Sequence, residues 1–233
     1  MITVYRFWML FVLGCFSMVL WAQQSLHDGA SLSQGGLSAG ERFVTMPDSL
    51  SPLLTAVNRA DLVDFMANGM KAEVDNRLAG RTQMTQLSPS YLRLQHSGSI
   101  HWQMKLLPTQ QGDTLICAVK TVLTPVVDSH LQLYDTHWNP LPLYHILPQP
   151  PCLDDFLSSE AQAIFHSQNA SAALLLTEAT FSSENNQLEV RFTTPDMVDA
   201  EVRKRLDPYL ISSVTFHWQG NHFERVIRQP VNL

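Results

Sequence analysis

From residue 88 onward, apolar and polar side chains take turns along the chain. The alternation runs through SYLRLQH at 90–96, SIHWQMKLL at 99–107, TLICAVKTVLT at 114–124 and HLQLYDTHW at 130–138. A period of two sends successive side chains to opposite faces of a strand. Ser-Gly, Gln-Gln-Gly-Asp and Pro-Val-Val-Asp separate the runs and suit tight connections. The pattern predicts a four-stranded antiparallel meander. Ahead of it the period is helical. Ser51-Pro52 reads as an N-cap with proline at the first helical position, opening a short helix LLTAV. Asn58 with Asp61 resembles a capping box for a longer helix, in which Val63, Met66, Met70 and Val74 share a face and Gly80 is the stop.

The second half repeats the theme. A helix is expected over 153–167, with Asp154 and Asp155 at its positive N-terminal end. Strands follow at 172–181 and 186–193, then a helix over 197–210 with Met197, Val198, Val202 and Leu206 on one face and Pro208 near its end. VTFHW-QGN-HFERV closes the chain as a hairpin, Gly220 supplying a turn with positive φ. Alternating strand–helix–strand units are absent, so the expected class is α+β: antiparallel sheet with helices segregated on one face, in two loosely related halves. The expected organisation is a signal peptide at 1–22 and a flexible leader at 23–42. A helix plus four-stranded unit spans 43–138, a Pro-rich linker 139–152, and a second α+β unit packed on the first 153–233.

The N-terminus sets the compartment. Met1 to Arg6 carries one positive charge, FWMLFVLGCFSMVLW follows, and Ala22 meets Gln23-Gln24. A basic start, an apolar middle and a small residue at the cut describe a cleavable export signal. About 15 apolar residues fall short of the roughly 20 that cross a bilayer. Val12-Leu13-Gly14-Cys15 is the rival, a weak lipobox that would tether the protein to a membrane through a lipid on Cys15. Export to the periplasm or cell envelope is the expectation, with lipoprotein the alternative.

Losing Arg6 with that segment takes the formal net charge from −6 to −7. Nucleic acid would require a basic stripe, whereas Arg203-Lys204-Arg205 sits beside Glu201 and Asp207 as a solvated helix face. No nucleic-acid partner is expected. The 45% hydrophobic and 15% charged fractions suit a globular core. Cys117 and Cys152 remain after processing, and the sequence leaves open whether they pair.

Two segments resemble a known family. MPDSLSPLLTAVNRADLVDFMANGMKAEVDNRLAG at 46–80 is similar to the opening of domain-of-unknown-function family 3256, an uncharacterised family of exported Bacteroidales proteins. Trp218, Gly220 and Phe223 match its closing hairpin, and the resemblance spans 43–228. It implies a Gram-negative cell-envelope setting and brings no activity, ligand or catalytic residue. Within that setting Asp48-Ser49-Leu50 and Asp113-Thr114-Leu115 fit an acidic–hydroxyl–aliphatic glycosylation pattern, implicating Ser49 or Thr114.

The chemistry-bearing residues fit no template. Nine histidines include no HExxH and no pair at i, i+4, and the mature cysteines are far apart. His130 and His137 would point to opposite faces of their strand. No G-x-S-x-G occurs; Cys117 sits inside a strand, and Ser97-Gly98-Ser99 reads as a turn. Asp154-Asp155 and Asp61 with Asp64 are better explained as a helix start and a solvated helix face than as glycosidase pairs. Gly35-Gly36 follows no strand, so nucleotide binding has no motif. The three remaining tryptophans each follow a histidine, in His101-Trp102, His137-Trp138 and His217-Trp218. Trp inward as core is the expected reading, and Trp outward as a stacking platform the alternative. No catalytic, cofactor-binding or metal residue is assigned and no cofactor is expected. The reading that follows is a non-enzymatic exported cell-envelope binding protein whose partner is an envelope protein or a glycan. The alternatives are a secreted hydrolase of glycans or peptides, its site assembled from distant residues, and a chaperone-like module that takes up a partner's strand at a sheet edge.

Overall fold

The computed structural model describes residues 36–167 and 174–226, so the export signal and most of the expected leader lie outside the described residues. The long apolar run TLICAVKTV explains the architecture: a strand that is apolar at consecutive positions is buried on both faces. It forms β5 (Thr114–Val122), the fifth strand of a seven-stranded antiparallel meander. That sheet comprises β1 (Glu73–Asp75), β2 (Arg81–Ser88), β3 (Tyr91–Ser97), β4 (Ile100–Pro108), β5, β6 (Asp128–Tyr134) and β7 (Pro140–Leu141) in sequential order. One face is covered by α1 (Ala39–Val44) and α2 (Ala56–Ala67). There Phe43, Leu54, Leu62, Met84, Leu94, Met104, Ile116 and Trp138 form the first core. The other face carries Tyr91, Leu107, Cys117, Val119 and Leu133.

Against that second face packs a smaller antiparallel sheet of order β11-β10-β9-β8, built from β8 (Thr177–Phe181), β9 (Gln187–Phe192), β10 (Ser213–Trp218) and β11 (Phe223–Val226). Phe181, Leu188, Val190, Phe192, Phe216 and Phe223 are its contribution to the second core. The segment 139–152 supplies β7 and a 3-10 turn at Leu143–His145, and buries Ile146 and Leu147 in that same core. The class is α+β, with the two main helices on one face of the large sheet, as the patterning predicts.

Several local expectations are corrected. The short helix expected after Ser51-Pro52 is a turn, and the N-cap of α2 is Thr55, whose hydroxyl accepts from Asn58 N while Asn58 reaches back, rather than Asn58 itself. The helix stops at Ala67 rather than Gly80, because Gly69 turns the chain at φ +67. Asn76 then builds a hairpin, its Oδ1 accepting from the N–H groups of Leu78 and Gly80. Met70 is left 49% exposed and Val74 lies on β1 rather than on a helical stripe. The meander therefore has seven strands where four were expected. His137 and Trp138 lie in the turn after β6, Trp138 at φ +65, so they are not a strand pair. Finally, the helix expected over 197–210 is only α4 (Ala200–Leu206), flanked by 3-10 turns, and none of its residues is buried. The expected 153–167 helix begins instead as a 3-10 turn at Leu153–Phe156, followed by α3 (Ser159–Ser167).

Candidate functional site

A sheet protein offers partners its edges or its faces, and here two of the four edges are bonded within the chain and two are short. The edge of β8 abuts the large sheet and is sealed by side chains. The N–H groups of Thr177, Ala179 and Phe181 donate to Asp128 Oδ1, Ser129 Oγ and Gln103 Oε1 at 3.2, 3.0 and 3.0 Å. Gln103 Nε2 returns a bond to Ala179 O at 3.0 Å, and Tyr91 Oη donates to Gln103 Oε1 at 3.2 Å. Lys105, 1% exposed, completes the seam by donating to Ser182 O at 3.1 Å. Burial lowers its pKa. On β11, Phe223 N–H donates to Ile146 O, and Arg225 holds the Asp155 carboxylate through both terminal nitrogens. β7 is two residues long and begins with proline, and the three-residue β1 is ringed by Lys71, Glu73, Asp75 and Arg81 in ion pairs. Short, charged or proline-bearing edges resist strand addition.

The residues singled out in the sequence fall mostly into structural roles. Trp102 packs on the first core, its ring 5.8 Å from that of Phe43. Trp138 is buried and donates from Nε1 to Arg42 O, while Trp218 packs on the second core and donates to Pro108 O at 2.6 Å. None of the three is an exposed platform. Cys117 is fully buried, which pushes its thiol up to about 12, and Cys152 is exposed; the two are not bonded. Asp155 belongs to Arg225. Asp64 accepts from Asn68. Ser97 Oγ accepts from Ser99 N–H in a turn. Asp48 pairs with the buried Arg59 and with Arg77, which leaves Ser49 exposed in its turn, while Thr114 begins β5 half-buried. Arg203 is held by Asp196 and Asp207. Among the described residues no three His, Cys, Asp or Glu side chains are grouped as a metal would require.

One hydroxyl–imidazole contact does occur. Thr82 Oγ1 lies 3.1 Å from His96 Nδ1, and Asn76 Nδ2 reaches both Thr82 Oγ1 and His96 O. Thr82 is wholly buried, and burial, helped by nearby Lys120, lowers the His96 pKa to about 4. The trio joins the β1–β2 hairpin to β3, with Thr82 buried and Asn76 and His96 partly exposed.

The open surface is the outer face of the small sheet. Strand alternation puts Ala179, Leu188, Val190 and Phe216 in the core, so their neighbours point outward. Register aligns Thr180 with Glu189 and Glu189 with Thr215 in a single cross-strand row, and sets Gln187 beside His217 in the next. Thr180, Ser182, Gln187, Glu189 and Thr215 line a shallow depression of ≈ 320 Å³. The side chains of Thr180, Gln187, Glu189 and Thr215 make no hydrogen bond or ion pair to any described residue. Beside it runs a chain of ion pairs, Glu178–Arg191–Asp196–Arg203–Asp207, which fastens α4 to β8 and β9. His101 faces this chain from the large sheet. Burial and the Arg93 guanidinium, 3.1 Å from its Nδ1, hold its pKa down against the opposing pull of Glu178. None of these lining residues was singled out from sequence. Their signal was present in the polar positions of TEATF, QLEVRF and SVTFHW, but solvent-facing polar residues look alike until register places them in one row.

Comparison with known proteins is decisive at the level of family. The model of a family described as "Protein of unknown function (DUF3256)" matches residues 32–223. The chain belongs to this family. The resemblance read from residues 46–80 and the closing hairpin identified it correctly. A solved structure of a domain of an uncharacterized protein from Porphyromonas gingivalis W83 is similar to it. The two are 26% identical with a TM-score of 0.67, over 83% of this chain and 100% of that one. No curated protein matches. The match to the DUF3256 family spans both sheets, so the sealed β8 seam and the open outer face lie within the shared domain. Among the described residues no helix is long and apolar enough to cross a membrane.

Proposed function

We propose that this DUF3256 chain is an exported cell-envelope protein that binds a protein or glycan partner without transforming it, through the outer face of its small sheet. The observation that carries the reading is the row Thr180–Glu189–Thr215 with Gln187. Its hydrogen-bonding groups line one depression and are used by no other described residue. Polar groups with fixed geometry on a rigid sheet supply orientation-specific contacts. Hydrolysis of a glycosidic bond takes two carboxyl groups about 5–9 Å apart across the bond, and Glu189 is the one carboxylate lining the depression. That composition favours binding over hydrolysis. Export rests on residues 1–22, and attachment to a membrane would rest on a lipid at Cys15.

The test is affinity capture from envelope extracts of the native host, comparing the wild-type chain with Thr180→Lys/Thr215→Lys. A partner retained by the wild type and lost by the variant supports the reading. Equal retention by both places the contact elsewhere. Release of sugar or peptide fragments that stops with Glu189→Gln would replace binding with hydrolysis.

A further inference from the structure

The segment around α4 presents an apolar stripe that its own fold leaves in solvent. Val202, Leu206 and Tyr209 follow one another at intervals of four and three along α4 and the 3-10 turn behind it, which is one face of a helical path, and Val198 lies just ahead of the helix in extended backbone. Val198, Leu206 and Tyr209 are 39%, 38% and 40% exposed, flanked by Met197 at 56% and Ile211 at 43%. The segment is not held by apolar packing. Asp199 caps the helix by accepting from Val202 N, Arg203 is clasped between Asp196 and Asp207, and Arg191 of β9 shares Asp196. Tyr209 O accepts from Ser158 N, and Ile211 N donates to Phe156 O. The polar side is thus fastened to the small sheet and the apolar side is turned outward. Contiguous exposed apolar surface on that scale marks a contact site.

The charges beside the stripe indicate the occupant. Glu201 and Arg205 stand one helical turn apart on one flank. Arg205 makes no ion pair with any described residue, and Glu201 has only the 3.7 Å contact of Lys204. We infer that the stripe is a homodimer contact, with α4 lying antiparallel to α4 of a second copy about a twofold axis near Arg203. A twofold interface sets each flank against its own counterpart in the reverse direction. Glu201 of each copy then meets Arg205 of the other, and the two helix dipoles oppose. The exposed apolar side chains amount to on the order of half of the roughly 800 Å² per partner of a standard interface. The dimer is accordingly weak.

Sedimentation equilibrium of the purified chain, up to about 1 mM, tests this. A monomer–dimer equilibrium is expected, weakened at least tenfold by Leu206→Glu. Glu201→Arg and Arg205→Glu should each weaken it, and the double exchange Glu201→Arg/Arg205→Glu should restore it, with circular dichroism unchanged throughout. A monomer at every concentration overturns the inference, whether another protein or the chain's own residues cover the stripe. A dimer insensitive to Leu206→Glu, or single charge variants not rescued by the double exchange, overturns it as well.

Discussion

Replacing Gln103 with leucine tests how the two sheets are joined. The side chain is 4% exposed and serves three groups: it accepts from Phe181 N–H and Tyr91 Oη and donates to Ala179 O. Leucine has nearly the same volume, so packing changes little, but three buried polar groups lose their partner together. Each such loss costs about 1–3 kcal/mol. Some relaxation of Tyr91 brings the expected total to about 3–5 kcal/mol, a large part of the roughly 5–15 kcal/mol that holds a domain folded. At about 2–4 °C per kcal/mol for a chain of this size, Tm should fall by about 6–20 °C. Tyr91→Phe removes only one donor from an oxygen that still accepts from Phe181, and should cost about 1 kcal/mol. Thermal denaturation followed by far-ultraviolet circular dichroism gives the magnitudes. Amide exchange gives the location, since Phe181 N–H and its neighbours on β8 should exchange faster in Gln103→Leu. A cost for Gln103→Leu no greater than that of Tyr91→Phe, or unchanged exchange on β8, would refute the side-chain seal as the joint between the sheets.

Three further outcomes follow from named sites. Gly220 has φ +85, and an added Cβ would lie 2.7 Å from Gln110 Cγ, so Gly220→Ala should cost about 2–3 kcal/mol. Gly112→Ala, at φ +89 in open space, should cost about 1 kcal/mol by urea denaturation, and equal costs would deny the interlock of the two hairpin turns. The folded pKa of His96, about 4, lies below the ordinary 6.5, so the unfolded chain takes up that proton first as pH falls. Its contribution is complete above pH 6.5 and is lost towards pH 4, by about 3 kcal/mol at most, and the pH dependence of unfolding should flatten in His96→Gln. Mass spectrometry after iodoacetamide treatment at neutral pH should find Cys152 alkylated and Cys117 intact until the chain unfolds, because burial keeps the Cys117 thiol protonated; equal labelling in the native state would contradict the burial.

The strands of the large sheet from β3 to β6 were legible because both their faces are apolar or alternate cleanly. β1 and β2 were not. Met66, Met70 and Val74 continue a helical spacing past the point where Gly69 turns the chain, and the short hairpin is made by the side chain of Asn76 rather than by an apolar pattern. The helix start was misplaced by a few residues because Ser51-Pro52 and Asn58 compete with Thr55, and only the last has Asn58 three residues on to reciprocate. The apolar stripe on α4 is legible from Met197, Val198, Val202 and Leu206, but not which way it faces. Apolar spacing specifies an interface, and whether the covering layer comes from the same chain is decided by ion pairs made far along the sequence, such as Arg191 with Asp196. The open face escaped notice for a related reason. Thr180, Gln187, Glu189 and Thr215 belong to three strands, and no local pattern reveals that register aligns them.

Photo-crosslinking in the native host most directly tests binding through the outer face. A photoreactive residue at Thr215 or Thr180, in the cross-strand row of the face, should give a discrete covalent adduct in the envelope fraction. The same residue at Glu73, on the charged edge of β1, should give none. Adducts from Glu73 with none from Thr180 or Thr215, or the chain recovered from the cytoplasm without any adduct, would contradict an exported protein that binds through that face.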